Sequence, residues 1–200
     1  VSAEAAKTRF GPFAMNAQAP DEGNMHTLLH WASDDQIERY LKPLCKGTAR
    51  SCFAMTEPEV AGSDPTLIQT KAVERDDHWE IDGHKWFISG AKGAQFAILI
   101  ARTEDDPDVP QAANSAFLVD IPSEGWEIVR DIHTMSGSHN RCEYSLGTQR
   151  QSGFAACGRH NVMGRVFSSG DYSRCTARIR YSCCRSSIIY GCEFRRVTHS

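Results

Sequence analysis

The chain has 200 residues, 40% hydrophobic and 24% charged, enough for one domain of ordinary size and part of another. No run approaches the ~20 apolar residues that a helical membrane span needs, and the opening VSAEAAKTRFG has neither the basic start nor the apolar run of a secretory signal, so it reads as the middle of a longer protein. The net charge of −3 hides a split, since residues 1–146 carry 13 basic and 23 acidic side chains whereas residues 147–200 carry 9 and 2.

In chain order, residues 25–46 read as a helical pair. Ser33 and Gln36 have the spacing of a capping box, in which each side chain satisfies the other's free backbone N–H. Ile37, Tyr40, Leu41 and Leu44 then repeat at helical spacing, with Pro43 set to bend the helix and Gly47 to stop it. From residue 50 the pattern changes to short β-rich runs separated by turn residues, at 51–56, 67–75, 78–81, 85–89, 96–102, 116–121, 126–130 and 142–146. Asp82-Gly83 reads as a hairpin turn, and residues 103–114 as an acidic, proline-bearing loop.

The reading is therefore α+β. Residues 1–50 are the remnant of an α-helical domain, and residues 51–146 a small all-β, sandwich- or barrel-like middle domain. Residues 147–200 form a basic tail. That tail lacks Leu, Lys, Pro and Trp while Arg, Ser and Cys make up 22 of its 54 residues. Such a composition builds no helical bundle and reads as disordered or translated out of frame.

Six of the eight cysteines lie beyond residue 141, but nothing marks a secretory context for disulfides. Cys157-x-x-His160 and Cys183-Cys184 lack the matching half of a zinc site, and His26 and His30 have no third ligand, so no metal is expected. Nine arginines interleaved with Tyr172, Tyr181 and Tyr190 could meet phosphates, yet no nucleic-acid-binding pattern accompanies them and no such partner is expected.

Two segments carry chemistry. Residues 53–64, FAMTEPEVAGSD, end a strand, turn at a proline and present Gly62-Ser63-Asp64, a small-residue turn of the kind that aims N–H groups at an anion. Taken alone it is an ordinary turn. Residues 82–91, DGHKWFISGA, form a strand dense in aromatics, with Trp86 and Phe87 expected on opposite faces so that one serves the core and the other offers a flat surface. Core packing would account for such a pair on its own.

In this order and spacing the two segments resemble the acyl-CoA dehydrogenases, flavoenzymes that oxidise the α,β bond of acyl-CoA thioesters. The resemblance runs from about residue 22 to about 146. It implies FAD as cofactor, with Met55 and Thr56 approaching the flavin, Ser63 at the pyrophosphate, Phe87 against the ring system and Ser89 near the flavin nitrogen N5. Residues 135–142 resemble a stretch that helps line the acyl-CoA site.

The family's general base is a glutamate on a C-terminal helical domain, so no catalytic residue is expected in this chain. Glu57, Glu59 and Asp64 are poor substitutes, because Glu57 belongs to the turn motif and the others sit by the presumed pyrophosphate. The implied partners are an acyl-CoA substrate, an electron-transfer flavoprotein or oxygen as acceptor, and further copies of the chain. The implied compartment is mitochondrial or peroxisomal in a eukaryote, cytoplasmic in a bacterium. The alternative is a truncated, non-catalytic flavin-fold binding protein. Three departures stand out: one extra residue between Thr-Glu-Pro and Gly-Ser-Asp, a short linker after Ala91, and the tail.

Overall fold

A computed structural model describes residues 2–8, 10–76, 78–103, 113–135 and 141–152. Two single-turn helices, α1 (Ser2–Ala5) and α2 (Gly11–Ala14), precede α3 (Asp21–Trp31), which begins four residues before the expected start. Ser33 then caps the next helix with the predicted reciprocal box: the Gln36 N–H donates to Ser33 Oγ, and the Ser33 N–H donates to Gln36 Oε1. This helix has three parts, α4 (Asp34–Gln36), a π-helical turn (Ile37–Leu41) and α5 (Lys42–Cys45). The widened turn ends where the Lys42 N–H reaches Ile37 O, immediately before Pro43, which has no N–H to give. Gly47, at φ +69°, ends the helix as expected.

Seven strands follow: β1 (Ser51–Ala54), β2 (Lys71–Glu74), β3 (His78–Ser89), β4 (Phe96–Arg102), β5 (Asn114–Asp120), β6 (Trp126–Asp131) and β7 (Arg141–Ser152). They form one mixed sheet in the order β1-β4-β2-β3-β7-β6, with β5 also paired to β4. β1 runs parallel to β4 with Ser51 opposite Phe96, and β5 runs antiparallel to β4 with Asn114 opposite Arg102. The six residues Phe96–Ala101 are all buried. Their alternation feeds two cores: Phe96, Ile98 and Ile100 pack with Leu28, Tyr40, Leu41 and Leu44 of the helices, while Ala97, Leu99 and Ala101 pack with Ile81, Ile88, Phe117 and Val119.

The helices are tied to the sheet by polar contacts as well. Asp21, 1% exposed, accepts from the Ser51 N–H (2.8 Å), the Ser51 hydroxyl (2.7 Å) and the Arg50 guanidinium (3.0 Å). At the other end of the joint, Tyr40 and Arg39 both donate to the Asp120 carboxylate. Burial, with the Asp120 charge adding to it, pushes the Tyr40 hydroxyl up to about 12.

Several expectations need correction. The run at 67–75 is a 3-10 turn (Pro65–Leu67) followed by the shorter β2. Asp82-Gly83 is no hairpin turn: β3 continues through it, and the reversal from β2 comes earlier, where the Arg75 N–H bonds His78 O. Glycine is required at 83 for closeness instead, because a Cβ there would lie 2.3 Å from Thr70 Oγ1. The register against β7 shifts at that point. Because β3 is continuous it pairs with a longer β7, which passes residue 146 and places Ser152 opposite His78. The acidic loop apart from its ends, most of residues 135–142 and the tail from 153 lie outside the described residues.

Candidate functional site at the β1 and β3 edge

After Ala54 the chain leaves β4 and runs beside β3. The Trp86 N–H donates to Thr56 O (3.0 Å), and the Thr56 hydroxyl donates to Trp86 O (2.6 Å). A hydroxyl has one hydrogen, so toward anything else this group can only accept. The loop beyond Pro58 returns onto the same residue, since a Cβ on Gly62 would meet Thr56 Cγ2 at 3.2 Å. Ser63 follows on the exposed part of that loop. Asp64 is committed locally: it accepts from the Thr66 hydroxyl (2.6 Å) and N–H (3.0 Å), and these bonds hold its carboxyl below the usual range.

β3 has a second register shift, between Lys85 and Ile88. Within it Phe87 adopts φ +54°, a left-handed conformation that costs a bulky residue roughly 1–2 kcal/mol. Trp86 and Phe87 therefore do not sit on opposite faces as simple alternation predicts; their rings meet edge to face with centroids 4.7 Å apart. Phe87 stays 41% exposed while Lys85 and Ile88 on either side of the pair are buried.

Of the five residues singled out from sequence, Met55, Thr56 and Phe87 thus share one edge. Ser63 comes next to it through Gly62, and Ser89 lies two residues further along β3. Gly90 follows Ser89 at φ +76°, its Cα 's missing side chain leaving room for Ser51 O, from which a Cβ would be only 3.3 Å.

Sequence reasoning missed what stands behind this edge. Lys85 is fully buried, and its ammonium donates to Met55 O (2.9 Å) and Glu57 Oε1 (2.8 Å). Glu57, 1% exposed, also accepts from the Gln69 N–H (2.7 Å), the Thr70 N–H (2.9 Å) and the Thr70 hydroxyl (2.5 Å). Burial pulls Lys85 down to about 8 against the opposing pull of the Glu57 charge. For Glu57 burial acts upward, but Lys85 and the hydrogen bonds outweigh it and hold the carboxyl below its ordinary range. A carboxylate whose oxygens are saturated in this way has no lone pair to spare for a substrate proton.

Behind the pair opens a polar cleft of about 680 Å³, lined by Glu59, Lys71, Asp82 and His84 among others. His84 Nε2 lies 2.9 Å from Glu143 Oε1 without hydrogen-bond alignment, and its Nδ1 lies 3.5 Å from Glu59 Oε1. Among the described residues no three His, Cys, Asp or Glu side chains are placed to hold a metal ion, and no helix is long and apolar enough to cross a membrane.

Residues 52–146 match the family described as acyl-CoA dehydrogenase, middle domain. The chain is 37% identical over 142 residues to acyl-CoA dehydrogenase family member 11 of Pongo abelii, an alignment covering 70% of this chain and 18% of that protein. Its fold is similar to that of a Mycobacterium abscessus protein assigned as an acyl-CoA dehydrogenase, with a TM-score of 0.72 and 31% identity over 78% of this chain and 40% of the other. It is also similar to a glutaryl-CoA dehydrogenase from Mycobacterium smegmatis solved in complex with FADH2, with a TM-score of 0.61 and 25% identity over 70% of this chain and 35% of that one. The chain spans less than a fifth of the length of the first of these relatives.

Proposed function

We propose that the central part of the chain, which matches the acyl-CoA dehydrogenase middle domain over residues 52–146, forms the flavin-facing part of an FAD-dependent oxidoreductase acting on the CH–CH group of acyl-CoA thioesters. The observation that carries this reading is the pairing of an exposed, conformationally strained Phe87 with the Thr56 edge, which core packing alone does not explain.

The residues present fit the cofactor. A flat aromatic face, a hydroxyl free to accept, and a glycine-bearing loop that closes onto that hydroxyl's own residue form a cradle for a polar ring system. Met55 and Thr56 would hold the ring's polar edge, Phe87 its face, Ser63 the diphosphate and Ser89 the reacting side. When bound, FAD supplies the acceptor for the hydride that leaves the thioester's β-carbon. This chain's part is to bind, orient and exclude water. Glu57, locked to Lys85, and Asp64, locked to Thr66, are not free to remove the α-proton, and this reading leaves that step to the glutamate of a C-terminal helical domain that the resemblance implies. Electron-transfer flavoprotein or oxygen would take the electrons onward.

Titration of the chain with FAD, followed by anaerobic addition of an acyl-CoA thioester, tests the reading. Bound, yellow flavin that bleaches on substrate addition supports the full reaction. Bound flavin that does not bleach supports the flavin-facing role alone, with Glu57 and Asp64 both engaged elsewhere and unable to take the α-proton. A folded protein that binds no FAD overturns the reading.

A further inference from the structure

Beyond the five residues that would touch the cofactor, we infer that Lys85 and Glu57 are positioning residues, which act through the backbone of Met55 and Thr56 and through the loop that bears Ser63. The inference rests on the reading that this edge faces FAD, but its argument comes from the pair itself.

Lys85 fixes the Met55 carbonyl at 2.9 Å, pointing into the protein. A trans peptide is planar, with C=O and N–H opposed, so the N–H of Thr56 is turned the other way. It has no backbone partner among the described residues, whereas the Thr56 carbonyl and hydroxyl are both engaged by Trp86. The charged side chain thus decides which way a peptide donor points on the flavin-facing edge.

Glu57 acts on the loop. It stands at the loop's start and binds the N–H groups of Gln69 and Thr70 at its end, so one carboxylate closes the segment that carries Gly62 and Ser63. Lys85 is the counter-charge that lets this carboxylate remain buried. Together the two side chains bridge the end of β1, the entry to β2 and the middle of β3. Stability alone is a weak reason for such a pair, because well-packed apolar residues often match or exceed a buried ion pair. What apolar residues cannot supply is a donor that orients Met55 and an acceptor that closes the loop.

The test compares Lys85→Met with Leu99→Ala, a core variant that weakens the fold and removes no polar group from the edge. FAD affinity and the visible spectrum of bound flavin are measured where each variant is folded by circular dichroism. Positioning predicts an affinity loss of about tenfold or more for Lys85→Met, the scale of losing a hydrogen bond to a charged donor, and a bound spectrum shifted toward that of free FAD. Leu99→Ala is expected to stay within about twofold, as its effect is on stability alone. If Lys85→Met does not fold, the double variant Glu57→Gln/Lys85→Met removes the buried charge altogether and is held to the same expectation. Wild-type affinity and spectrum in a folded Lys85 variant would overturn the inference and leave the proposed function standing. Failure of the wild-type chain to bind FAD would instead remove the premise.

Discussion

β4 and β3 lie in the same sheet and are built on opposite principles. β4 is regular and dry: six consecutive buried apolar residues, three to each core, with neighbours on both sides of the strand. β3 is twice irregular, shifting register after Ile81 and after Lys85, and it carries a fully buried ammonium next to a partly exposed aromatic pair. The contrast teaches that β4 supplies rigidity, while the departures from regular alternation on β3 coincide with the groups that could meet a ligand. Irregularity costs stability, so it persists where something other than packing uses it.

The largest effect separating the two strands should come from Lys85→Met, which leaves Glu57 buried without its counter-charge and is expected to cost about 3–5 kcal/mol in denaturant unfolding. On β4, Leu99→Ala should cost about 2–5 kcal/mol by opening a cavity in a core that cannot easily collapse. Equal costs with unequal effects on FAD affinity would sharpen the comparison, and parallel effects on both would break it. Gly83→Ala should cost about 1–3 kcal/mol, since Thr70 is held by Glu57 and cannot swing away from a new methyl group.

pH gives a smaller and signed effect. Glu57 is held below its ordinary value of 4.5, so its contribution is fully present above that pH and is lost as pH falls through the folded value. Lys85 behaves oppositely: between about 8 and 10.5 the unfolded chain holds the proton more tightly, so stability rises with pH across that window. Thermal unfolding of the wild type should therefore fall off more steeply below pH 4.5 than that of Glu57→Gln/Lys85→Met, and gain on it at alkaline pH. The smallest effect on stability is expected for Phe87→Gly, where relief of the positive φ offsets the lost contact with Trp86 to within about 1 kcal/mol. FAD affinity should nevertheless drop, and an unchanged affinity would count against Phe87 as the ring's support.

The same contrast decides what could be read from sequence. β4 was legible because a continuous apolar run bounded by polar residues has few alternatives, and Ser33 with Gln36 was legible because capping is local. β3 was legible only as motif. Asp82-Gly83 carries turn chemistry, yet the glycine answers to Thr70, thirteen positions earlier in the chain. The bulge at Phe87 depends on register against β7, and the partner of Lys85 lies 28 residues away, so neither leaves a local trace. Met55, Thr56 and Phe87 could still be named because their segments match a family pattern, although the pattern gives no reason for the conformation that brings them together.

The central claim is that the Met55–Thr56 and Phe87 edge, with Ser63 and Ser89, faces FAD. Its most direct test is backbone amide NMR of the chain under millimolar FAD, which registers weak contact as well as tight binding. The account predicts saturable shifts at Met55, Thr56, Ser63, Phe87 and Ser89 with β4 amides unmoved. Shifts confined to the polar cleft around Lys71 and His84, or none at all in a folded protein, would contradict it.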